Sequence, residues 1–556
     1  MKRYVVVGGV AGGMSAAARL RRLDATSEIV ILEKSGYVSY ANCGLPYYVG
    51  GVIQNEESLL LQTPDSLYKR FRLDVRTEAE VVSINRETKT ITYSHLGGLH
   101  DLAYDKLILS PGAAPIRPNI PGIERSLSLR NIEDVMAMDR AVSHHPKSVA
   151  IIGGGFIGVE LAENLRHRGL ATSIVEAQCQ VLAPLDPEMA TFVAAELRKH
   201  EIDLHLGDAL ASIDEKTVTL ASGIVVPAEM VIMAIGVRPE TGLARSAGLV
   251  IGERGGIAVN EFNLTSDADI YAIGDAAEKR DALDGSATLV PLANIANRHG
   301  RIVADHINGK VTRSVATQGT AIVKVFELTV ATSGWNEKRL VAANRPYLAI
   351  HNHPASHAGY YPGAQGMSLK LLVEPQSYEI LGVQGVGREG VDKRIDVIAT
   401  AMRGGITAPE LADLELAYAP PFSSAKDPVN MLGYIAENVL SGLTPTAQWS
   451  EVLERVAEGY TILDVRSVGE VNRGTLPGAV NIPIDEIRER KSELPIGKIL
   501  VTCQVGQRGH AATRLLREMG FDAINLDGGY MTWSNSPANN PVNNPVKEPV
   551  KEEVKI

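Results

Sequence analysis

Along the first 320 residues, short apolar runs alternate with longer stretches whose apolar positions recur every three or four residues. Valine, isoleucine and leucine dominate the runs at 4–7, 28–32, 148–152 and 172–175, which predict buried strands. The stretches at 14–23 and 159–167 predict helices. Twice the order is strand, glycine-rich turn (8–13 and 153–158), helix, and a second strand ending in glutamate (Glu33 and Glu176). Such alternation predicts doubly wound parallel sheets, and its recurrence predicts an internal repeat of a dinucleotide-binding unit. Beyond residue 320 the pattern changes. Strand-like runs at 320–330 and 368–373 precede helical periodicity at 394–402 and 409–414, which predicts a separate α+β domain. Ser441-Gly442-Leu443-Thr444-Pro445 reads as a linker. A compact α/β unit is expected over 449–535, with strands at 461–465 and 498–502 and a helix at 511–519. From Ser536 the chain repeats Asn-Pro-Val and Lys-Glu-Pro-Val, a composition expected to be disordered.

Composition narrows the function classes. A chain of 556 residues accommodates about three or four domains, and 45% hydrophobic content is ample for their cores. A net charge of −10, with no basic-aromatic stripe, argues against nucleic acid as a partner. No apolar run reaches the ~18 residues of a membrane span. Lys2-Arg3 before Val5-Val6-Val7 starts like a secretory signal, but glycines interrupt it at once, so it reads as a first strand. Three cysteines in such a length are no disulfide scaffold, and a reducing cytoplasm is the expected home. Without a Cys-x-x-Cys pair, zinc-ribbon and thioredoxin readings fail, and no metal is expected.

Glycines at a strand-to-helix turn let the backbone approach a pyrophosphate that the helix N-terminus then stabilises. Gly153-x-Gly155-x-x-Gly158 is a complete fingerprint of this kind. Glu176, 18 residues beyond the last glycine, is placed to accept hydrogen bonds from a ribose diol. A carboxylate there repels a 2′-phosphate, so NADH is expected over NADPH. The first loop keeps Gly8 and Gly13 but has Val10 at the central position, with Glu33 at the usual distance. Residues 104–112, ending in Pro111-Gly112, and Ala272-Ile273-Gly274-Asp275 resemble the connecting motifs of two-dinucleotide flavoprotein reductases. In that group the aspartate matching Asp275 contacts the ribityl chain of FAD. The resemblance implies FAD at the first site and NADH at the second.

Cys43 and Cys503 lie in two different sulfur-chemistry motifs. A thiolate is the reactive form of cysteine, and backbone N–H groups, a helix start and a nearby cation all favour it. Both cysteines are expected to enjoy such surroundings, so the chain looks built to pass sulfur between them. Cys179, in a plain stretch after a strand, is expected to pack as an inert small hydrophobe.

Many members of the flavoprotein group carry a Cys-x-x-x-x-Cys disulfide, but Val38 stands where the partner of Cys43 would be. The segment from Ser39 through Asn42 and Cys43 to Pro46 resembles coenzyme A disulfide reductase and its relatives, the NADH peroxidases and oxidases. Those peroxidases place a histidine inside the first glycine loop, and residues 8–13 contain none. Ala417-Tyr418-Ala419-Pro420-Pro421-Phe422 and the stretch from Lys426 to Met431 resemble the C-terminal motif of the coenzyme A branch. Tyr360-Tyr361-Pro362-Gly363 matches the region of its second tyrosine. In the family these tyrosines reach the partner subunit's cysteine, so Tyr360 and Tyr418 imply a homodimer. Ser15, Arg19, Arg22, Ser39, Asn42 and Lys426 match positions where the family holds coenzyme A. Arg19 and Arg22 lie three apart on one helix face, suited to a polyphosphate.

Cys503-x-x-Gly506-x-Arg508 follows a strand and leads into a helix, a cradle of N–H groups able to hold an anionic persulfide. With Asp464-Val465-Arg466, the stretch from Leu476 to Pro483, and Gly528-Gly529-Tyr530-x-x-Trp533, it closely resembles rhodanese domains. Related phosphatases have five residues between cysteine and arginine; four intervene here, which favours sulfur transfer.

The whole chain thus resembles a fusion of a coenzyme A disulfide reductase with a rhodanese. The implied fold is α/β: an FAD-binding Rossmann-like domain (1–115 and 255–320), an NADH-binding one (116–254), an α+β dimerisation domain (321–443) and a rhodanese domain (449–535). The implied activity is NADH-driven reduction of coenzyme A persulfide, polysulfide or coenzyme A disulfide at Cys43, which rests as a thiol or a mixed disulfide with coenzyme A. Two alternatives stay open: an NADH oxidase or peroxidase using a Cys43 sulfenic acid, and a non-reductive persulfide carrier acting through Cys503.

Overall fold

The structure, a computed structural model, describes residues 1–539; most of the tail expected to be disordered lies outside the described residues. Two compact units are present: residues 1–175 with 209–318, and residues 176–208 with the chain from 319 onwards.

In the first unit, Ile270–Ala272, Lys106–Leu109, Arg3–Val7, Glu28–Leu32 and Asp74–Arg76 form one parallel sheet in that order. Val5 sits between Val30 and Leu107, and all three are buried, as a sheet covered on both faces requires. A second parallel sheet contains Ala171–Glu176, Ser148–Ile152, Met230–Met233 and Leu127–Ser128. The helices Ala11–Leu23 and Phe156–His167 each begin three residues earlier than the apolar periodicity predicts. The reason is that the closing glycines belong to the first helical turn. A Cβ on Gly13 would lie 1.9 Å from the Gly8 carbonyl oxygen, and one on Gly158 would lie 2.0 Å from that of Gly153. Both turns therefore share the same close approach of helix to strand. At the central position φ is −106° for Val10 and −77° for Gly155, so that position does not demand glycine and a valine fits.

In the second unit, an antiparallel sheet runs in the order Ala321–Val325, Leu328–Gly334, Ile380–Gly387, Met367–Val373, Leu348–Asn352. Side chains alternate between its faces. Ala331, Val383, Leu371 and Ile350 join the core beneath the helices Val391–Gly404 and Pro428–Leu440. The alternate row across the strands is polar: Thr332, Gln384, Lys370 and His351, all buried. The parallel sheet of the C-terminal α/β unit has the order Thr446–Ala447, Asp522–Leu526, Lys498–Thr502, Tyr460–Asp464, Val480–Asn481.

Two expectations are corrected here. The linker at 441–445 is a docked segment: Pro445 accepts from the Asn525 amide at 2.9 Å, and Thr444 is buried with its hydroxyl 2.8 Å from His510. Nor does disorder begin at Ser536, which is fully buried and donates to the Trp533 carbonyl at 2.7 Å. Low-complexity composition marks only what cannot build a core, and Ser536 finishes one. Among the described residues, no helix is long and apolar enough to cross a membrane.

Candidate active site

A cleft of about 1570 Å³ runs through the first unit. Gly8, Val10, Glu33, Pro111, Gly112, Gly274 and Asp275 line it, and so do Ser15, Arg19, Arg22, Ser39, Asn42 and Cys43. One continuous space thus joins the residues of the first nucleotide loop to the candidate coenzyme A residues of this unit and to the thiol.

The walls suit a dinucleotide. Glu33 is buried at the end of its strand, its carboxylate accepting from the amides of Gly9 (2.7 Å) and Ser35 (2.9 Å). Gly8, with φ +99°, approaches the Ser110 carbonyl so closely that a Cβ would lie 2.1 Å from its oxygen, which leaves bare backbone at the turn. Burial holds the Asp275 carboxyl above its ordinary range, against the opposing charges of Lys279 and Arg130. Buried Lys279 donates to the carbonyls of Gly274 (2.7 Å) and Ala277 (3.1 Å), fixing the turn that carries Asp275. Its own pKa is pushed down to about 8 by burial. No motif marked Lys279 in advance. At the second loop a Cβ on Gly155 would meet nothing within 4 Å, the open space that an approaching pyrophosphate needs. Glu176 ends its strand as expected and accepts from the Gln178 amide at 2.8 Å.

Cys43 sits in the single turn Asn42–Gly44, ahead of the short helix Leu45–Val49. Its surroundings differ from those expected. The thiol is open to solvent, yet the cleft walls withhold enough water to push its pKa up, and Glu160 and Asp275 push it further. Carboxylates, not a cation, are the charged neighbours that act on it. Glu160 accepts from the Tyr47 hydroxyl at 3.1 Å, and burial raises its own pKa. Sequence reasoning passed over Glu160, although it lies two residues past the last glycine of the complete fingerprint. Arg19 is ion-paired with Asp305 at 2.7 Å and Ser15 bonds Asn297 at 2.8 Å, while Arg22 is exposed.

In the second unit, the exposed hydroxyls of Tyr360 and Tyr418 meet at 2.9 Å, which raises the pKa of Tyr360. The Lys426 ammonium lies 5.6 Å from the centre of the Tyr434 ring. Cys503 is fully buried at the end of Lys498–Thr502, and its sulfur accepts from the Gly506 amide at 3.2 Å. The helix that follows spans Gln507–Glu518. Arg508 is already paired: its guanidinium meets Glu470 at 2.5 and 2.9 Å and holds that carboxyl down to about 2. Arg466 is buried against Asp464, bonds Gln504 at 3.0 Å and stacks 4.3 Å from the Tyr530 ring centre. Cys179 is not packed as expected. It is exposed at a cavity of about 350 Å³ whose lining includes Trp449 and Trp533.

Comparison with known proteins places these features in a family. The pyridine nucleotide-disulphide oxidoreductase model matches residues 2–300, the dimerisation domain of that family matches residues 320–428, and a rhodanese-like domain matches residues 448–536. Coenzyme A disulfide reductase of Staphylococcus aureus (strain JH9) is 37% identical over 443 residues, covering 79% of this chain and all of that protein. The crystal structure of reduced Bacillus anthracis CoADR-RHD superposes with a TM-score of 0.95 at 48% identity, covering 97% of this chain and 98% of that one. An NAD-dependent persulfide reductase from A. fulgidus gives 0.91 at 37% identity, covering 96% of this chain and all of that one. With a flavoprotein-type nucleotide cleft, a single thiol within it and a second cysteine in a rhodanese loop, the chain belongs to the pyridine nucleotide-disulphide oxidoreductase family and carries that family's dimerisation domain and a C-terminal rhodanese-like domain.

Proposed function

We propose that this protein is an NADH-driven flavoprotein reductase of coenzyme A persulfide, polysulfide or coenzyme A disulfide, supplied with sulfane sulfur by its own rhodanese domain. The observation that carries the reading is the shared cleft, which joins the nucleotide-loop residues, Arg22 and the exposed Cys43 thiol. The family works with FAD and NAD(H); when bound, FAD passes electrons from NADH to sulfur.

This chain's residues do the rest. Cys43 thiolate attacks the inner sulfur of coenzyme A persulfide, forming a Cys43–S–S–coenzyme A bond and releasing hydrosulfide. Two electrons from NADH then return that disulfide to a thiolate and a thiol, so each turnover consumes one NADH per hydrosulfide. Tyr360 and Tyr418, acting on the partner subunit's active site in a homodimer, protonate or stabilise the leaving sulfur. Arg19 and Arg22 hold the nucleotide end of coenzyme A, with Ser15, Ser39, Asn42 and Lys426 along its length. Glu176 selects NADH over NADPH by repelling a 2′-phosphate. Cys503 takes up a sulfane sulfur as a persulfide, and the long arm of coenzyme A carries that sulfur onward. The FAD domain comprises 1–115 and 255–320, the NADH domain 116–254, the dimerisation domain 321–443 and the rhodanese domain 449–535, in a protein of the reducing cytoplasm.

The test is anaerobic steady-state kinetics with the three acceptors, scored by NADH loss and sulfide release. Sulfide formed in step with NADH loss supports the reading. NADH consumption that requires oxygen or peroxide would instead favour the oxidase or peroxidase alternative, and sulfur transfer without NADH loss the carrier.

A further inference from the structure

The outer strand of the antiparallel sheet in the second unit, Leu348–Asn352, presents groups that no neighbouring strand can pair. The rhodanese-like part covers them with side chains. Gln448 donates to the Ala349 carbonyl at 2.9 Å, and Asp527 accepts from the His351 amide at 3.0 Å. Asp527 also meets the His351 ring at Nδ1, 2.6 Å away, and Glu188 meets the other ring nitrogen at 3.0 Å. All three side chains are buried. Lys370, directly across the strand pair from His351, bonds Glu188, Asp186 (3.0 Å) and Glu337 (3.0 Å). Such a set is expensive to desolvate, and Glu188 Oε2 is left without a hydrogen-bond partner, so the set fixes geometry more than it adds stability. Two residues along, His353 bonds the Thr532 hydroxyl at 2.7 Å.

What these histidines grip is the support of the Cys503 loop. Asp527 is followed by Gly528 and Gly529, with φ of +64° and +62°. From that turn the Tyr530 amide donates to the Cys503 carbonyl at 2.8 Å, and the Met531 amide to that of Gln504 at 2.9 Å. The fit is tight: a Cβ on Gly529 would lie 2.5 Å from the Cys503 oxygen and 2.8 Å from the Gly506 nitrogen. That same Gly506 N–H is the one bonded to the Cys503 sulfur.

We propose that His351 and Asp527 are positioning residues for sulfur transfer at Cys503: through them the dimerisation sheet fixes the 527–531 turn, and the turn fixes the Gly506 N–H that bonds the Cys503 sulfur. The inference rests on the sulfur-transfer role given to Cys503 above. In that step Cys503 thiolate attacks the outer sulfur of a donor persulfide; with one proton taken up, the donor leaves as a thiol and Cys503 becomes a persulfide. No net oxidation occurs.

The test uses full-length His351→Asn and Asp527→Asn with two readouts. One is the pH profile of Cys503 alkylation by iodoacetamide, followed by peptide mass. The other is transfer from glutathione persulfide to cyanide. The expected result is a Cys503 profile displaced to higher pH in both variants, a kcat about tenfold lower and a KM within about twofold of wild type. Flavin reduction by NADH should be unchanged. A wild-type profile with wild-type kcat in both variants, or a change in KM alone, would overturn the proposal. If the parent protein transfers no sulfur, the functional reading fails, and the alkylation profile alone decides for or against the positioning pair. If neither variant folds, the parent protein supplies the test. Burial alone would lower the His351 pKa, but Asp527 and then Glu188 raise it to about 9 despite Lys370. His353 stays neutral, its pKa lowered to about 3. At a fixed concentration of cyanide anion, kcat for transfer should then fall reversibly as pH rises through about 9; a kcat that climbs steadily through that range would overturn the proposal.

Discussion

Cys43 and Cys503 are both reactive-site candidates, yet their surroundings are opposites. Cys43 stands open in a cleft large enough for a dinucleotide and a long substrate, and neighbouring carboxylates oppose its thiolate. Cys503 is sealed, with a backbone N–H on its sulfur and its nearby arginines tied to Glu470 and Asp464. On the proposed function, the difference teaches that the two thiols take sulfur in different packages. An open cleft admits a sulfur carried on a bulky arm, whereas a closed loop admits little more than the sulfur itself.

The largest effects should come from deleting one thiol at a time. Cys43→Ser should keep flavin reduction by NADH but lose reductase turnover by a thousandfold or more, on the order expected for removing a nucleophile; retained turnover would erase the contrast. Cys503→Ser should abolish sulfur transfer and slow polysulfide use. It should spare reduction of a small soluble persulfide presented directly to Cys43. Equal loss with every acceptor would mean that the two sites are one functional unit.

Cofactor choice should respond next. Glu176→Ala should narrow the preference of kcat/KM for NADH over NADPH by roughly tenfold or more, since a carboxylate facing a 2′-phosphate is unfavourable. An unchanged ratio would show that the 2′-phosphate lies elsewhere.

The smallest effect sharpens the electrostatic half of the comparison. Glu160 raises the Cys43 pKa, so Glu160→Gln should move the midpoint of Cys43 alkylation to lower pH, while that of Cys503 stays put. A shift to higher pH would reverse the assigned sign.

Much of this was legible from residues alone. The two nucleotide turns followed from glycine spacing because steric limits at Gly13 and Gly158 permit nothing larger. Cys43 and Cys503 stood out because each lies in a contiguous motif. What was missed is assembled from distant segments. Lys279 acts on a turn that only the folded chain orients, and Glu160 reaches Tyr47 across 113 positions. His351 meets Asp527 across 176 positions, with no local pattern to announce either. The surroundings of Cys43 were misjudged for the same reason: helix starts are visible in sequence, but neighbouring carboxylates from other segments are not. Cys179 was expected to pack because cysteine usually does, and its exposure depends on tertiary neighbours alone.

The central claim is that Cys43 takes the sulfur-bearing substrate covalently. The most direct measurement is peptide mapping under non-reducing conditions, after protein whose Cys43 is a free thiol is mixed anaerobically with coenzyme A persulfide and no NADH. The account predicts a disulfide between Cys43 and coenzyme A, sulfide released in equal amount, and loss of the disulfide, with the sulfide retained, on adding NADH. An unmodified Cys43, or an adduct confined to Cys179 or Cys503, would contradict it.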